Sequence, residues 1–186
     1  MADKNKLEQA ARLILEAIGE DPNREGLLET PRRFAEMMEE QMAYTTVSNE
    51  EIARQFGKTF TSSEEGPVVV KDISIFSHCE HHLALMYHMH VSVGYIPHGR
   101  VIGLSKVARI ADAVSRRLQI QERIGADIRN IIEKVTGSSN VIVRIDGEHS
   151  CMAARGIKKP GAVTTTISSS GKFNTPEYRQ LFNDML

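Results

Sequence analysis

The sequence predicts an α+β protein, a helical N-terminal region followed by an antiparallel sheet that carries helices on one face. Two observations lead there. Apolar residues in the first third recur at the helical period. After residue 62 the segments read strand, strand, helix, helix, strand, strand, an order that suits a four-stranded antiparallel sheet with two helices on one face. At 186 residues the chain is long enough for one domain with a helical appendage, read here as 1–61 and 62–186.

Leu7, Ala10, Ala11, Ile14, Leu15 and Ile18 fall on one helical face, and Gly19 is the expected stop. Asp21-Pro22-Asn23-Arg24-Glu25-Gly26 reads as a turn. Thr30-Pro31 offers an N-cap and a proline at the first helical position, and Phe34, Met37, Met38 and Met42 supply the stripe of the helix that follows. A third, short helix is expected near Ser48, with Glu50 and Glu51 complementing its dipole. The polar loop Ser62-Ser63-Glu64-Glu65-Gly66-Pro67 marks the change of composition.

Val68 to Ile75 reads as a strand. In the next, Met89, Val91, Val93 and Tyr95 face one side and His88, His90 and Ser92 the other; Pro97-His98-Gly99 then turns the chain. One helix starts at Ser105, an N-cap by type, and carries Val107, Ala108, Ala111 and Val114. Another follows Gln121 with Ile124, Ile128, Ile131, Ile132 and Val135 in register, and Gly137-Ser138-Ser139-Asn140 ends it. Val141 to Ile145 and Val163 to Ser169 give two more strands, and the tail from Thr175 a short helix. A sheet of this size has open edges, which are costly unless paired, so oligomerisation is expected.

The formal net charge of −1, with signs mixed, announces no surface for a polyanion, so nucleic acid is not an expected partner. No run is apolar enough to suggest a signal peptide or a bilayer span, so no membrane is expected and the expected compartment is the cytoplasm. There, two cysteines point to metal ligands or free thiols before a disulfide.

Both cysteines sit beside histidines, in Cys79-Glu80-His81-His82 and in His149-Ser150-Cys151. Cys79 and His82 have chelate spacing, and Cys151 can add a third soft donor. Two thiolates and an imidazole suit zinc, and three protein ligands leave a fourth corner for water, whose pKa zinc lowers toward neutrality. A closed structural site would need a fourth ligand; His81 or His149 could serve. In the open reading those two are proton carriers. Six of the seven histidines lie between residues 78 and 98; His78, His88, His90 and His98 read as surface or packing residues. Gln121-Glu122 reads locally as a helix start, although an amide beside a carboxylate can also read the donor edge of a guanine. Lys106, Arg109, Arg155, Lys158 and Lys159 suit either phosphate binding or solvation.

With these residues in hand the chain resembles the GTP cyclohydrolase I family. The matching segments are Phe76-Ser77-His78-Cys79-Glu80-His81-His82, Tyr95-Ile96-Pro97, Val101-Ile102-Gly103-Leu104-Ser105-Lys106, Gln119-Ile120-Gln121-Glu122-Arg123, Glu148-His149-Ser150-Cys151 and Ala154-Arg155-Gly156. The resemblance implies the tunnelling fold, assembled into a homodecamer of two pentamers with active sites at subunit interfaces. It implies zinc on Cys79, His82 and Cys151, and His81 and His149 as the proton-transfer pair. Gln121 and Glu122 would recognise guanine, while Ser105, Lys106, Arg109 and Arg155 would hold ribose and triphosphate, with Ser105 also moving protons. The implied reaction opens the imidazole ring of GTP, releases formate and yields 7,8-dihydroneopterin triphosphate, the entry to pterin and tetrahydrofolate synthesis. A related tunnelling-fold enzyme with three histidine ligands fits less well, since this chain offers Cys–His–Cys. A zinc-stabilised, non-catalytic nucleotide-binding module is the rival of a different class.

Overall fold

A computed structural model describes residues 2–186. They form two compact units, one through Thr46 and one from Val47 to Leu186.

In the first unit, α1 (Lys4–Ala17) packs on α2 (Thr30–Gln41), with a 3₁₀ turn at Glu25–Leu27. Asp3 caps α1 by accepting from the Lys6 N–H at 3.1 Å. Gly19, at φ +87°, follows the end of that helix in a conformation that favours glycine. The residue before α2 is Glu29, so Thr30 lies inside the helix instead of capping it, and Pro31 occupies the first turn as expected. Ala11 and Ala35 are buried.

The second unit begins with α3 (Asn49–Phe56), held by a full capping box. Ser48 Oγ accepts from the Glu51 N–H, and the Glu51 carboxylate accepts from the Ser48 N–H at 2.7 Å. Ile52, Ala53 and Phe56 are buried, and α3 packs on the two long helices. It therefore belongs with the larger unit, not with the 1–61 region in which the sequence reading placed it. A small antiparallel ribbon pairs β1 (Thr59–Thr61) with β4 (Arg100–Ile102).

The main sheet holds β2 (Val68–Cys79), β3 (Ala84–Tyr95), β5 (Leu118–Gln119), β6 (Val141–His149) and β7 (Val163–Ser169), in the order β5-β2-β3-β6-β7. It has five strands, where the sequence predicted four. The extra one, β5, is two residues long and so carries no period; it pairs parallel to β2 through His78↔Leu118 and Cys79↔Gln119. The other three pairings are antiparallel. On β3, Met89, Val91, Val93 and Tyr95 are buried and His88 and His90 exposed, as the alternation predicts, although Ser92 is buried too.

Helix α4 (Leu104–Ser115) packs on β2, α5 (Gln121–Thr136) packs on β6 and β7, and the two helices touch. Ile110, Val114, Ile124, Ile128, Ile131 and Ile132 are fully buried between these layers. Gly137, at φ +72°, closes α5 with a left-handed C-cap. A short helix α6 (Ser150–Ala153) follows β6 directly, and α7 (Pro176–Asp184) ends the chain.

Phe173 and Phe182 pack with Ile96 and Ile142 in a second small core. A Cβ added at Gly94 would lie 2.9 Å from Ile142 Cγ2 and from Phe182 Cδ2. Gly94→Ala is therefore expected to destabilise the fold by about 1–3 kcal/mol through overpacking, read as a lower denaturant midpoint at constant slope.

Candidate metal and active site

Strands β2 and β6 both continue past the apolar runs that announce them, β2 to Cys79 and β6 to His149. They flank β3, with Cys79 opposite Ala84 and His149 opposite Met86. The two histidine–cysteine segments therefore emerge at the same end of the sheet. After Cys79 the chain turns tightly, with the His82 N–H donating to the Cys79 carbonyl at 3.3 Å and Leu83 at φ +52°. After His149 it winds into α6, which carries Cys151.

The donor atoms of Cys79, His82 and Cys151 all lie within 4.8 Å of one another. Cys79 Sγ is 3.8 Å from His82 Nδ1, and both thiols are free. Burial pushes the Cys151 thiol up from its ordinary value, and the facing Cys79 sulfur pushes it further in the same direction. Two sulfurs and an imidazole nitrogen drawn this close together match the donor set that a divalent cation between them would take. The three residues fit a soft-donor metal site. His81 places Nδ1 3.7 Å from Cys79 Sγ but stands outside the mutually close trio, and its ring is exposed.

The second ring of the site comes from the N-terminus of α5, which follows β5 beside Cys79. Arg123 clamps the Cys79–His82 turn by donating twice to the Glu80 carboxylate, at 2.6 and 3.1 Å. That pair was missed in the sequence, although Glu80 and Arg123 each adjoin a singled-out residue. His149 Nε2 lies 2.9 Å from the Gln121 side-chain oxygen. Burial holds the His149 imidazole below its ordinary pKa, while the nearby Glu122 charge pulls the other way. Glu122 itself is exposed. Arg155 Nη1 lies 2.9 Å from His82 Nε2. Glu148, beside His149, accepts from Tyr87 Oη at 3.3 Å and lies 3.0 Å from His88 Nδ1. His88, read from the sequence as a bystander, thus ties down a neighbour of the site.

Ser105, Lys106 and Arg109 do not join this group within the chain. They occupy the first two turns of α4, whose other end meets β2, with Ser77 Oγ donating to the Ser115 carbonyl at 2.7 Å. Roughly 15 Å of helix separates Ser105 from that end. Ser105 is not an N-cap either; that position is Gly103, and Ser105 lies in the first turn with its side chain exposed.

A family model described as GTP cyclohydrolase I matches residues 7–186. The chain belongs to the GTP cyclohydrolase I family. Among similar proteins of that family, one from Clostridium acetobutylicum, named GTP cyclohydrolase 1, is 58% identical over 180 residues, covering 94% of this chain and 92% of its own. One of the same name from Clostridium beijerinckii is 57% identical, over 93% of this chain and 91% of its own. A third, from Clostridium botulinum, is 55% identical over the same shares. A crystal structure of an apo archaeosine synthase QueF-like protein covers 59% of this chain and 96% of its own at 18% identity, with a TM-score of 0.46, too slight a likeness to carry an argument. Among the described residues of this GTP cyclohydrolase I family member, no helix is long and apolar enough to cross a membrane.

Proposed function

We propose that this chain is a GTP cyclohydrolase I that opens the guanine imidazole ring at a zinc site formed by Cys79, His82 and Cys151. The released product is formate, and the remaining skeleton becomes 7,8-dihydroneopterin triphosphate, the entry to pterin and tetrahydrofolate synthesis. Family membership over residues 7–186 supports the reaction. The observation that carries the chemistry is the convergence of two thiols and one imidazole within 4.8 Å, with a second, partly buried imidazole, His149, two residues from one of the thiols. When bound there, zinc would supply Lewis acidity and an acidified water.

The protein groups do the rest. His149 gives and recovers a proton at guanine N7 as the ring opens. The exposed Glu122 carboxylate accepts from the guanine N1–H and exocyclic NH₂ groups, a match that other nucleobases with different donor edges lack. Gln121, the residue before it, faces His149 with its side-chain oxygen. Arg155, beside His82, offers its guanidinium to the ribose and triphosphate. His81, exposed beside Cys79, serves with Ser105 in opening the ribose ring.

Since about 15 Å of helix separates Ser105, and about 9 Å Arg109, from the end of α4 that meets β2, a second copy would supply Ser105, Lys106 and Arg109. The tunnelling fold and a homodecamer with interfacial sites, which the family resemblance implies, would accommodate that sharing. Exposed apolar residues on the edge strand β7, Val163 at 60% and Ile167 at 50%, support self-association. Two free thiols support the cytoplasm as its location.

The direct test incubates the metal-loaded protein with GTP and follows formate together with dihydroneopterin triphosphate, read by fluorescence after oxidation. Both are expected, and a chelator is expected to stop both; GTP left intact by metal-loaded protein would overturn the reading. Subunit sharing has its own test. Lys106→Ala and His149→Ala, each inactive alone, are mixed under reassembly. Random pairing across interfaces is expected to restore about a quarter of wild-type activity. No recovery despite demonstrated subunit exchange would mean that each site is built within one chain.

A further inference from the structure

Gln121 is 1% exposed, and its amide is committed inside the protein. Its side-chain nitrogen lies 2.9 Å from two backbone carbonyl oxygens, those of Ile145 on β6 and Thr164 on β7, and 3.3 Å from Thr166 Oγ1. Carbonyl oxygens only accept, so the NH₂ end of the amide must face them. The amide oxygen is thereby turned toward His149 Nε2, at 2.9 Å. That oxygen also only accepts, so the hydrogen of the contact belongs to His149 Nε2. The reverse tautomer would set the amide oxygen against a bare ring nitrogen in a buried place. Gly147 completes the fit. A Cβ there would sit 3.3 Å from the Gln121 side-chain oxygen and 2.9 Å from Met89 Cγ, so glycine leaves the amide its room.

We propose that Gln121 is a positioning residue that acts through His149, fixing the ring with its hydrogen on Nε2 so that Nδ1 is the nitrogen that exchanges a proton with the substrate. This rests on the reading of His149 as the proton carrier. It departs from the expectation that the Gln121 side chain reads guanine directly, because both amide N–H groups already have partners within the sheet. The effect of the residue on catalysis runs through ring orientation, as for other groups that hold an imidazole by its second nitrogen.

Two measurements test it. Solid-state NMR of the holoenzyme labelled with ¹⁵N in histidine, at alkaline pH and assigned by difference from His149→Ala, is expected to show a protonated Nε2 and a bare Nδ1 for His149. The opposite pattern overturns the proposal, whatever the activity. In kinetics, Gln121→Met keeps the bulk and removes the acceptor. It is expected to lower kcat by roughly tenfold to a hundredfold, as misplacement of a reacting group does, with KM for GTP nearly unchanged. The same substitution on a His149→Ala background is expected to add no further loss. A raised KM at constant kcat would mean that Gln121 reads the base itself, and an additive loss would mean a merely structural role; either overturns the proposal. Failure of the wild-type holoenzyme to release formate from GTP would remove the reaction assignment and leave the tautomer to the spectrum.

Discussion

Cys151→Ala is expected to yield a folded protein that no longer retains metal and no longer releases formate. Cys151 sits on α6, a four-residue helix, and is only partly buried, so its sulfur holds little of the core together. Removing it leaves Cys79 and His82, a two-donor site from one short turn, and the loss of a ligand opens the shell to exchange. If the metal then dissociates, several kcal/mol of transition-state stabilisation go with it, a fall of roughly a thousandfold or more in kcat. Metal content per chain after dialysis and formate release from GTP read the two halves of the prediction. A variant that keeps both its metal and its rate would show that Cys151 is not a ligand.

His149→Ala separates chemistry from scaffolding. The imidazole is not one of the three mutually close donors, so zinc content and assembly are expected to remain those of the wild type. Its removal takes away the group placed to move a proton at guanine N7, a loss of about 10²–10⁴ in kcat. Zinc lost together with the fold would instead make the centre structural, with His149 as its fourth ligand, and the enzyme reading would fail. Formate release under single-turnover conditions, beside metal analysis and gel filtration, distinguishes the outcomes.

The helices and the apolar half of the sheet were legible because burial writes a period. The isoleucines of α5 and the valines of β3 alternate as their elements demand. The ends of β2 and β6 were not, because Cys79 and His149 sit where the strand carries polar and sulfur-bearing residues and the alternation stops. Strand β5 was invisible because two residues have no period. The grouping of Cys79, His82 and Cys151 was legible from residue type alone, since both cysteines lie beside histidines. The distance of Ser105, Lys106 and Arg109 from that trio was not, because it depends on which end of α4 meets β2, a fact carried by Ser77 and Ser115. Gln121 shows the same limit. Its partners lie 24 and 43 residues further along the chain, so only the assembled β6–β7 pair discloses that the amide is already engaged.

The most direct measurement is X-ray absorption at the zinc edge on the purified, substrate-free protein. A shell of two sulfurs, one imidazole nitrogen and one light-atom solvent donor is what an open catalytic centre on Cys79, His82 and Cys151 predicts. A shell closed by a second imidazole, or zinc that binds without any sulfur, would contradict it.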